Sequence, residues 1–591
     1  MGASVVSRAL EIGFGADPSI IDFVRNRLNG NIVCRNGRQD ALIRVHDRIS
    51  DPERLTNVSR SGRPDLPPGV EEFVFTNDEG AYTASVTVAG DDEGIGFHLV
   101  ASGPEPIWMV EWTIHGLKLD EVIIPALGGR RISSEMPDGL VDSFQYPVWW
   151  NAQFVIGSSG SQSGGIWLHS GETRPRMKVL RVRKEGSDRF ALTLGIRADA
   201  PLVVANVALS WHIDGYSKSW TEPADRYRSW LESTFDLVPY EQHPHYPEWM
   251  NEVNLILQLC GMWPRSVKGH TFEEMTSRIE AFARLHPPKE TLLYIPGFAE
   301  KGLDSDIPDY RPSPALGGAN GLSKLVDRAH ELGYRVMLHT NILGMTFNHA
   351  LFPQFRDLQI KDEFGDLRSW GHDLDGDWMT EPFFAYINPG AHRWGDLFES
   401  LVRTLVDEYG ADAVHLDQTL LAFTVSNGPN FMDGMKGLVG RLQRSFPQIL
   451  FQGEGIHEWI LPVLPVAQIH GVDSITPVEK VYLAAGSRFG LLPKILSGLS
   501  RLVGFKKGRP WIQIHPVSSR VLGRYSRMTP HLLTDHPSGA KFSYQEAAYA
   551  RLGISPALVC YGSHQTIDGP RVRKMLRRAK SVRSRNHNKE L

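Results

Sequence analysis

Cysteine is scarce in this chain of 591 residues, and the scarcity is informative. Cys34, Cys260 and Cys560 lie far apart, are odd in number and sit in largely apolar surroundings, which excludes a disulfide framework and marks them as small buried hydrophobes. Long apolar runs are absent too: no window of about 18 uncharged apolar residues occurs, so no membrane-spanning helix is expected. The opening residues, Met1-Gly-Ala-Ser-Val-Val-Ser-Arg-Ala-Leu10, lack a basic segment leading into an apolar one, so a cytoplasmic protein is the expectation. Excess charge of one sign is also missing. A net charge of -4 points to no polyanionic partner, and neither nucleic acid nor membrane is an expected ligand. What is present is aromatic surface. Fifteen tryptophans and an aromatic fraction of 10% permit stacking on sugars, although core packing is the commoner use of such rings.

Two rhythms divide the chain. Residues 1–240 carry short strand-like runs such as Tyr82-Thr-Ala-Ser-Val-Thr-Val88 and Trp108-Met-Val-Glu-Trp-Thr-Ile114, separated by turn-rich stretches such as Gly90-Asp-Asp-Glu-Gly94. This half reads as an antiparallel β-sandwich. From 245 to 565 strands alternate with helical stripes, the pattern of a (β/α)8 TIM barrel. The expected strands are Asn254–Leu259, Thr291–Pro296, Arg335–His339, Ala411–Asp417, Ile449–Gln452, Val466–His470, Trp511–His515 and Ala557–Tyr561. An insertion at 344–388 interrupts the third and fourth units, and long insertions in compact domains are usually functional or mobile. Residues 566–591 form a basic C-terminal helix or tail, for which a solvated terminus is the ordinary explanation.

The stretch Tyr409-Gly-Ala-Asp-Ala-Val-His-Leu-Asp-Gln418 organises the second half. The apolar stripe from Trp394 to Val406 describes a helix, Gly410 ends it in the left-handed conformation, and a strand then carries Asp417 to its tip. Catalytic groups of barrel enzymes occupy such tips, although an aspartate capping the next turn has the same local sequence. Further on, Ile449-Leu-Phe-Gln-Gly-Glu-Gly-Ile-His-Glu458 places Glu454 just past the fifth strand, with Gly453 and Gly455 allowing close backbone approach. Neighbouring strand tips bring two carboxylates face to face, as glycosidic cleavage requires. A separation of about 5 to 5.5 Å gives retention and one of about 6.5 to 9.5 Å inversion. Glu458, one helical turn later, competes with Glu454 for the second role.

These residues resemble α-retaining (β/α)8 glycoside hydrolases. In α-amylase-like enzymes the fourth-strand aspartate is the nucleophile and the fifth-strand glutamate the acid/base, a layout that here implies Asp417 and Glu454. Endo-α-N-acetylgalactosaminidases are similar and carry a β-sandwich before the barrel, as do α-glucosidase and α-galactosidase relatives. The stretches Tyr294-Ile-Pro-Gly-Phe298 and Tyr334-Arg-Val-Met-Leu-His-Thr-Asn341 look closest to the endo-acting side, and the resemblance extends over residues 70 to 565. In the α-glucosidase and α-galactosidase relatives the acid follows strand six, which would make it Asp473. Two features depart from the pattern. His415 stands where amylase-like enzymes have arginine, and the chain leaves little room for the β-domain that follows the barrel in many relatives.

Other candidates complete a sugar pocket: His339 and Asn341 on the third strand, His415 and Gln418 on the fourth, His515 on the seventh, and Trp263 after the first as a stacking face. His457 is placed to tune Glu454. Within the insertion, Gly371-His-Asp-Leu-Asp-Gly-Asp-Trp378 alternates three carboxylates but lacks the closing glutamate of a calcium loop; Asp375 and Trp378 are as well suited to a substrate subsite. A metal-dependent hydrolase built on His339, His415, His470 and His515 is the competing enzyme class, and a non-catalytic carbohydrate-binding protein the competing non-enzyme. The expectation is therefore a sandwich followed by a TIM barrel that hydrolyses α-linked sugars of an oligosaccharide or glycoconjugate with retention and needs no cofactor or metal.

Overall fold

The computed structural model describes residues 4–15, 21–35, 42–47, 51–61, 65–159, 164–202, 206–264, 267–372, 380–472 and 511–587. The described residues of the N-terminal half form two antiparallel sheets, one of ten strands and one of nine that gains a tenth from the C-terminal half. Strands such as Thr83–Asp91 alternate along their length, with Ala84, Val86 and Val88 buried between partly exposed neighbours, which is how a sheet with one core face and one wetter face is encoded. Helix Thr221–Thr234 follows the last sandwich strand, Asn206–Tyr216, and leads towards the second half.

Eight parallel strands then form a nearly closed barrel. We number them β1 (Leu255–Leu259), β2 (Thr291–Ile295), β3 (Arg335–Asn341), β4 (Ala413–Asp417), β5 (Leu450–Gly453), β6 (Val466–Ile469), β7 (Arg527–Pro530) and β8 (Ala557–Cys560). The order runs β7-β6-β5-β4-β3-β2-β1-β8. At the seam, Gln258 Nε2 donates to the Leu532 carbonyl at 3.0 Å and the Tyr561 hydroxyl to the Thr534 carbonyl at 2.8 Å. β1, β2, β4, β5, β6 and β8 are buried along their whole length, as strands covered on both faces must be. The helix before β4 spans His392–Asp407, and Gly410 adopts φ +67° beyond its end, the left-handed stop that the stripe calls for.

One strand belongs elsewhere. Ile512–Ile514 is not the seventh barrel strand: it extends the second sandwich sheet, antiparallel to Arg130–Ser133, with Arg130 opposite Ile514. Its alternation, with Gln513 exposed between Ile512 and Ile514, is the signature of a sheet with one wet face. The true β7, Arg-Met-Thr-Pro, is short, polar and ends in proline, so its sequence does not read as an interior strand.

The two halves share cores. Ile123, Phe154 and Trp167 of the sandwich and Tyr227 of the connecting helix pack with Ala467 and Ile469 of β6 and with Tyr525 and Tyr549 of the barrel. The loop after β5 is tied to the sandwich by the Glu458 amide, which donates to the Asn151 carbonyl at 3.0 Å. The insertion contributes a small antiparallel sheet of Gly344–Thr346, Glu381–Tyr386 and Ser369–His372. All three cysteines are free and buried. Among the described residues no helix is long and apolar enough to cross a membrane.

Candidate active site

β4 and β5 run parallel with His415 opposite Gln452 and Leu416 opposite Gly453, so Asp417 and Glu454 emerge together at their C-terminal ends. Both are almost fully enclosed, at 4% and 5% exposure. Their carboxyl groups lie within hydrogen-bonding reach of one another. Glycines flank Glu454: a Cβ at Gly453 would clash with Leu464 Cδ1 and sit 2.7 Å from Thr419 Oγ1, and Gly455 turns the chain at φ +73°. Gln418 itself is left-handed at φ +70°, an uncommon state for a side-chain-bearing residue. That turn aims its amide N–H at Glu454 Oε2, 2.9 Å away, while its side-chain amide donates to Asp417 Oδ2 at 3.3 Å.

The two carboxyls are held in opposite electrostatic surroundings. Burial, then the charges of Glu454 and Asp304, raise Asp417 well above the ordinary aspartate range, against the opposing Gln418 hydrogen bond. Burial acts to raise Glu454 as well, but a hydrogen bond from His531, the neighbouring His470 and the Gln418 amide outweigh it and hold the group at about 2. Two carboxyls in contact titrate as a unit. The arrangement favours the proton on Asp417 over Glu454.

Around Asp417, Asn341 Nδ2 donates to Asp417 Oδ2 at 3.2 Å and reaches Asp304 Oδ1 at 3.4 Å, tying the third strand's tip to two acids. His339 shares a 2.8 Å hydrogen bond with the Tyr294 hydroxyl and places Nε2 3.6 Å from Asp304 Oδ1. Burial and the neighbouring His339 drive His415 well below the usual imidazole range. It is therefore a neutral group beneath the pair, 4.0 Å from Asp417 Oδ1. The Tyr386 hydroxyl, from the insertion, donates to Gln418 Oε1 at 3.2 Å.

Around Glu454, His531 Nε2 stands 3.3 Å and His470 Nε2 3.5 Å from the same oxygen, Oε1. Trp149 of the sandwich packs its ring 5.0 Å from that of His470, so the N-terminal half contributes to the wall of the barrel mouth.

The structure thus brings together Asp417, Glu454, His339, Asn341, His415 and Gln418. Trp263 lies beyond β1, half-buried, its ring 5.4 Å from that of Tyr561. His457 is buried under the loop after β5 against the Thr419 main chain. His515 is not a barrel residue: it follows the sandwich strand Ile512–Ile514, packs edge-on to Trp220, and is pushed down to about 3 by burial. Glu458 faces away from the cleft, accepting hydrogen bonds from the hydroxyls of Tyr146 and Tyr227. Asp375, Trp378 and Asp473 lie outside the described residues.

Asp304, His531, Tyr386 and Trp149 are the site residues that sequence reasoning missed. Asp304 carries a local sign, a positive φ of 52° in the loop after β2, but only coordinates reveal it. His531 was hidden because β7 was not recognised, and Trp149 and Tyr386 arrive from the sandwich and the insertion, remote in sequence from both carboxylates.

Residues 206–464, a span that includes Asp417 and Glu454, match a family described as "Domain of unknown function (DUF6259)". No curated protein matches the sequence. Among solved structures, the chain is similar to α-N-acetylgalactosaminidase NagBb from Bifidobacterium bifidum. The GalNAc complex overlays with a TM-score of 0.71 at 12% identity, over 98% of this chain and 93% of that one. The ligand-free form gives 0.69, also at 12% identity, over 98% and 92%. The GH36 α-galactosidase AgaA from Geobacillus stearothermophilus, solved as a variant with raffinose, overlays at 0.47 and 10% identity over 99% and 86%. An N-terminal β-sandwich followed by a nearly closed eight-stranded parallel barrel is the fold this chain has in common with NagBb.

Proposed function

We propose that this protein is a retaining glycosidase acting on α-linked sugars, with Asp417 as nucleophile and Glu454 as acid/base. The observation that carries the reading is the buried carboxyl pair at adjacent strand tips, surrounded by hydrogen-bonding groups. A double displacement needs one carboxylate to attack the anomeric carbon and one acid to protonate the leaving oxygen. In the sugar-free cleft the two groups touch. In that state the proton is favoured on Asp417. A glycosidic bond entering between the carboxyls would part them towards the about 5 to 5.5 Å of retaining enzymes and remove the Glu454 charge that raises Asp417. It would also require the proton to pass from Asp417 to Glu454, facing the leaving oxygen, before attack. Asp417 then becomes the free carboxylate, oriented by Asn341 and Gln418. After departure of the aglycone, Glu454 takes a proton from water and the glycosyl-Asp417 ester is hydrolysed.

Asp304, His339 and Asn341 form a polar rim suited to the hydroxyls of the bound ring, and NagBb, whose fold this chain shares, was solved with GalNAc. A terminal or internal α-linked hexosaminide is therefore the first substrate class to assay. The decisive test is hydrolysis of aryl α-glycosides by Asp417→Asn, Glu454→Gln and Asp473→Asn. Asp417→Asn is expected to fall to background, and the wild type to release the α-anomer first by NMR. Glu454→Gln is expected to lose about 10²–10⁴-fold on poor leaving groups and far less on activated ones. Undiminished cleavage by Asp417→Asn refutes the nucleophile, and loss confined to Asp473→Asn moves the acid role from Glu454 to Asp473.

A further inference from the structure

We propose that Glu454, His470 and His531 form a binding site for a zinc-class divalent metal ion at the barrel mouth. Three side chains from three successive strand ends converge there: Glu454 beyond β5, His470 beyond β6 and His531 beyond β7. One ligating atom from each lies within 4.8 Å of the others. The two imidazoles present the same nitrogen, Nε2, to the same oxygen, Glu454 Oε1, at 3.5 and 3.3 Å. Their rings meet at 60° with centroids 4.3 Å apart, so the two nitrogens approach a common point from different directions.

The His531 contact is a hydrogen bond, yet both contacts are longer than the about 2.7–2.9 Å of a charge-assisted one. Ligands held about 2.0–2.1 Å from a tetrahedral zinc ion are about 3.3–3.4 Å from one another, because the edge of a tetrahedron is about 1.6 times its centre-to-corner distance. The observed 3.3 and 3.5 Å sit at that spacing. Two imidazoles and a carboxylate are also a donor set that zinc accepts with one position left for water. His470 keeps 25% of its side chain exposed, leaving the fourth position an approach, while Glu454 and His531 are almost enclosed.

This site does not depend on the glycosidase reading, but it bears on it. An ion bound to Oε1 competes with protonation of Glu454, so a metal-loaded enzyme would lack its acid. Zinc is then an inhibitor of glycoside hydrolysis, relieved by chelators.

The experiment uses the full chain after chelator treatment, titrated with Co2+ and then Zn2+. One equivalent of Co2+ should develop the intense visible absorption of a four-coordinate site and be displaced by Zn2+. His470→Gln and His531→Gln should each weaken Zn2+ binding at least about tenfold. Asp304→Asn, in the neighbouring cluster of Asp304, His339 and Asp417, should not. Circular dichroism monitors folding; should His531→Gln not fold, the more exposed His470→Gln decides. Unchanged affinity in the folded histidine variants, or loss in Asp304→Asn alone, overturns the proposal. Binding is read by spectroscopy, so it stands or falls whether or not aryl glycosides are cleaved. Zinc that binds at this affinity and raises turnover would support the site while removing Glu454 from the acid role.

Discussion

The loop after β5 has two faces, and its two glutamates, Glu454 and Glu458, show what environment alone does to one functional group. Both are buried and both follow the same strand. Glu454 turns to the cleft, where imidazoles and a main-chain N–H hold it at about 2 beside an Asp417 raised well above its ordinary range. Glu458 turns to the joint with the sandwich, where burial raises it to about 7 against the tyrosine hydroxyls and the Lys178 charge. One face sets a carboxylate against imidazoles in the cleft; the other closes a domain junction with hydrogen bonds from Tyr146 and Tyr227. Perturbation of a buried carboxyl is thus not by itself a sign of catalysis, since Glu458 at the domain junction is shifted as well as Glu454 in the cleft.

The widest separation between the two faces is expected in turnover. Glu454→Gln should lower kcat by about 10²–10⁴-fold on poor leaving groups, whereas Glu458→Gln, which keeps an acceptor for one tyrosine, should leave kcat within a few-fold of wild type. Equal losses would break the comparison.

Stability against pH should separate them in the reverse sense. Folded Glu458 holds its proton more tightly than the unfolded chain does, so the protein is most stable below pH 4.5 on this account. It loses stability as pH rises to about 7 and none beyond. The shift from 4.5 to about 7 corresponds to about 3 kcal/mol. Denaturant melts between pH 4.5 and 8 should show that slope in wild type and its absence in Glu458→Gln. Activity follows the other pair: the proton shared by Asp417 and Glu454 is lost as pH climbs through the raised Asp417 value, giving an alkaline limb to kcat/KM.

Smaller effects sharpen the boundary between the faces. Trp149 is a sandwich residue packed on His470 in the cleft, so Trp149→Ala should raise KM about 2- to 10-fold through loss of one aromatic contact while kcat changes less. Tyr386→Phe, which deletes the hydroxyl that steadies Gln418, should cost less again, about 2- to 5-fold in kcat/KM, with no change in melting beyond about 1 kcal/mol.

How much of this was legible depends on the range over which each signal acts. The barrel strands β1, β2, β4, β5, β6 and β8 announce themselves as largely apolar runs because both faces are covered, and Gly410 marks where the helix before β4 must stop. Asp417 and Glu454 are readable for the same reason: each directly follows or ends such a run. β7 is not, since its four residues include arginine, threonine and proline, while Ile512–Ile514 imitates a barrel strand with two isoleucines that serve the sandwich. Two histidines follow from that difference: by sequence His515 reads as a site residue and His531 does not, whereas in the structure His515 packs on Trp220 and His531 touches Glu454.

By itself the sequence determined the local elements and their order: a half built on period two, a half alternating strand and helix, and carboxylates at two strand ends. Those depend on interactions within a few residues, which composition and spacing record directly. Tertiary structure alone decided which carboxylate faces a partner, which histidine reaches it, and that Trp149 and Tyr386 from distant segments line the same cleft. Such choices rest on contacts between residues far apart in the chain. Burial acts alike on Glu454 and Glu458; the imidazoles and the Gln418 amide that separate them reach Glu454 only once the barrel has closed.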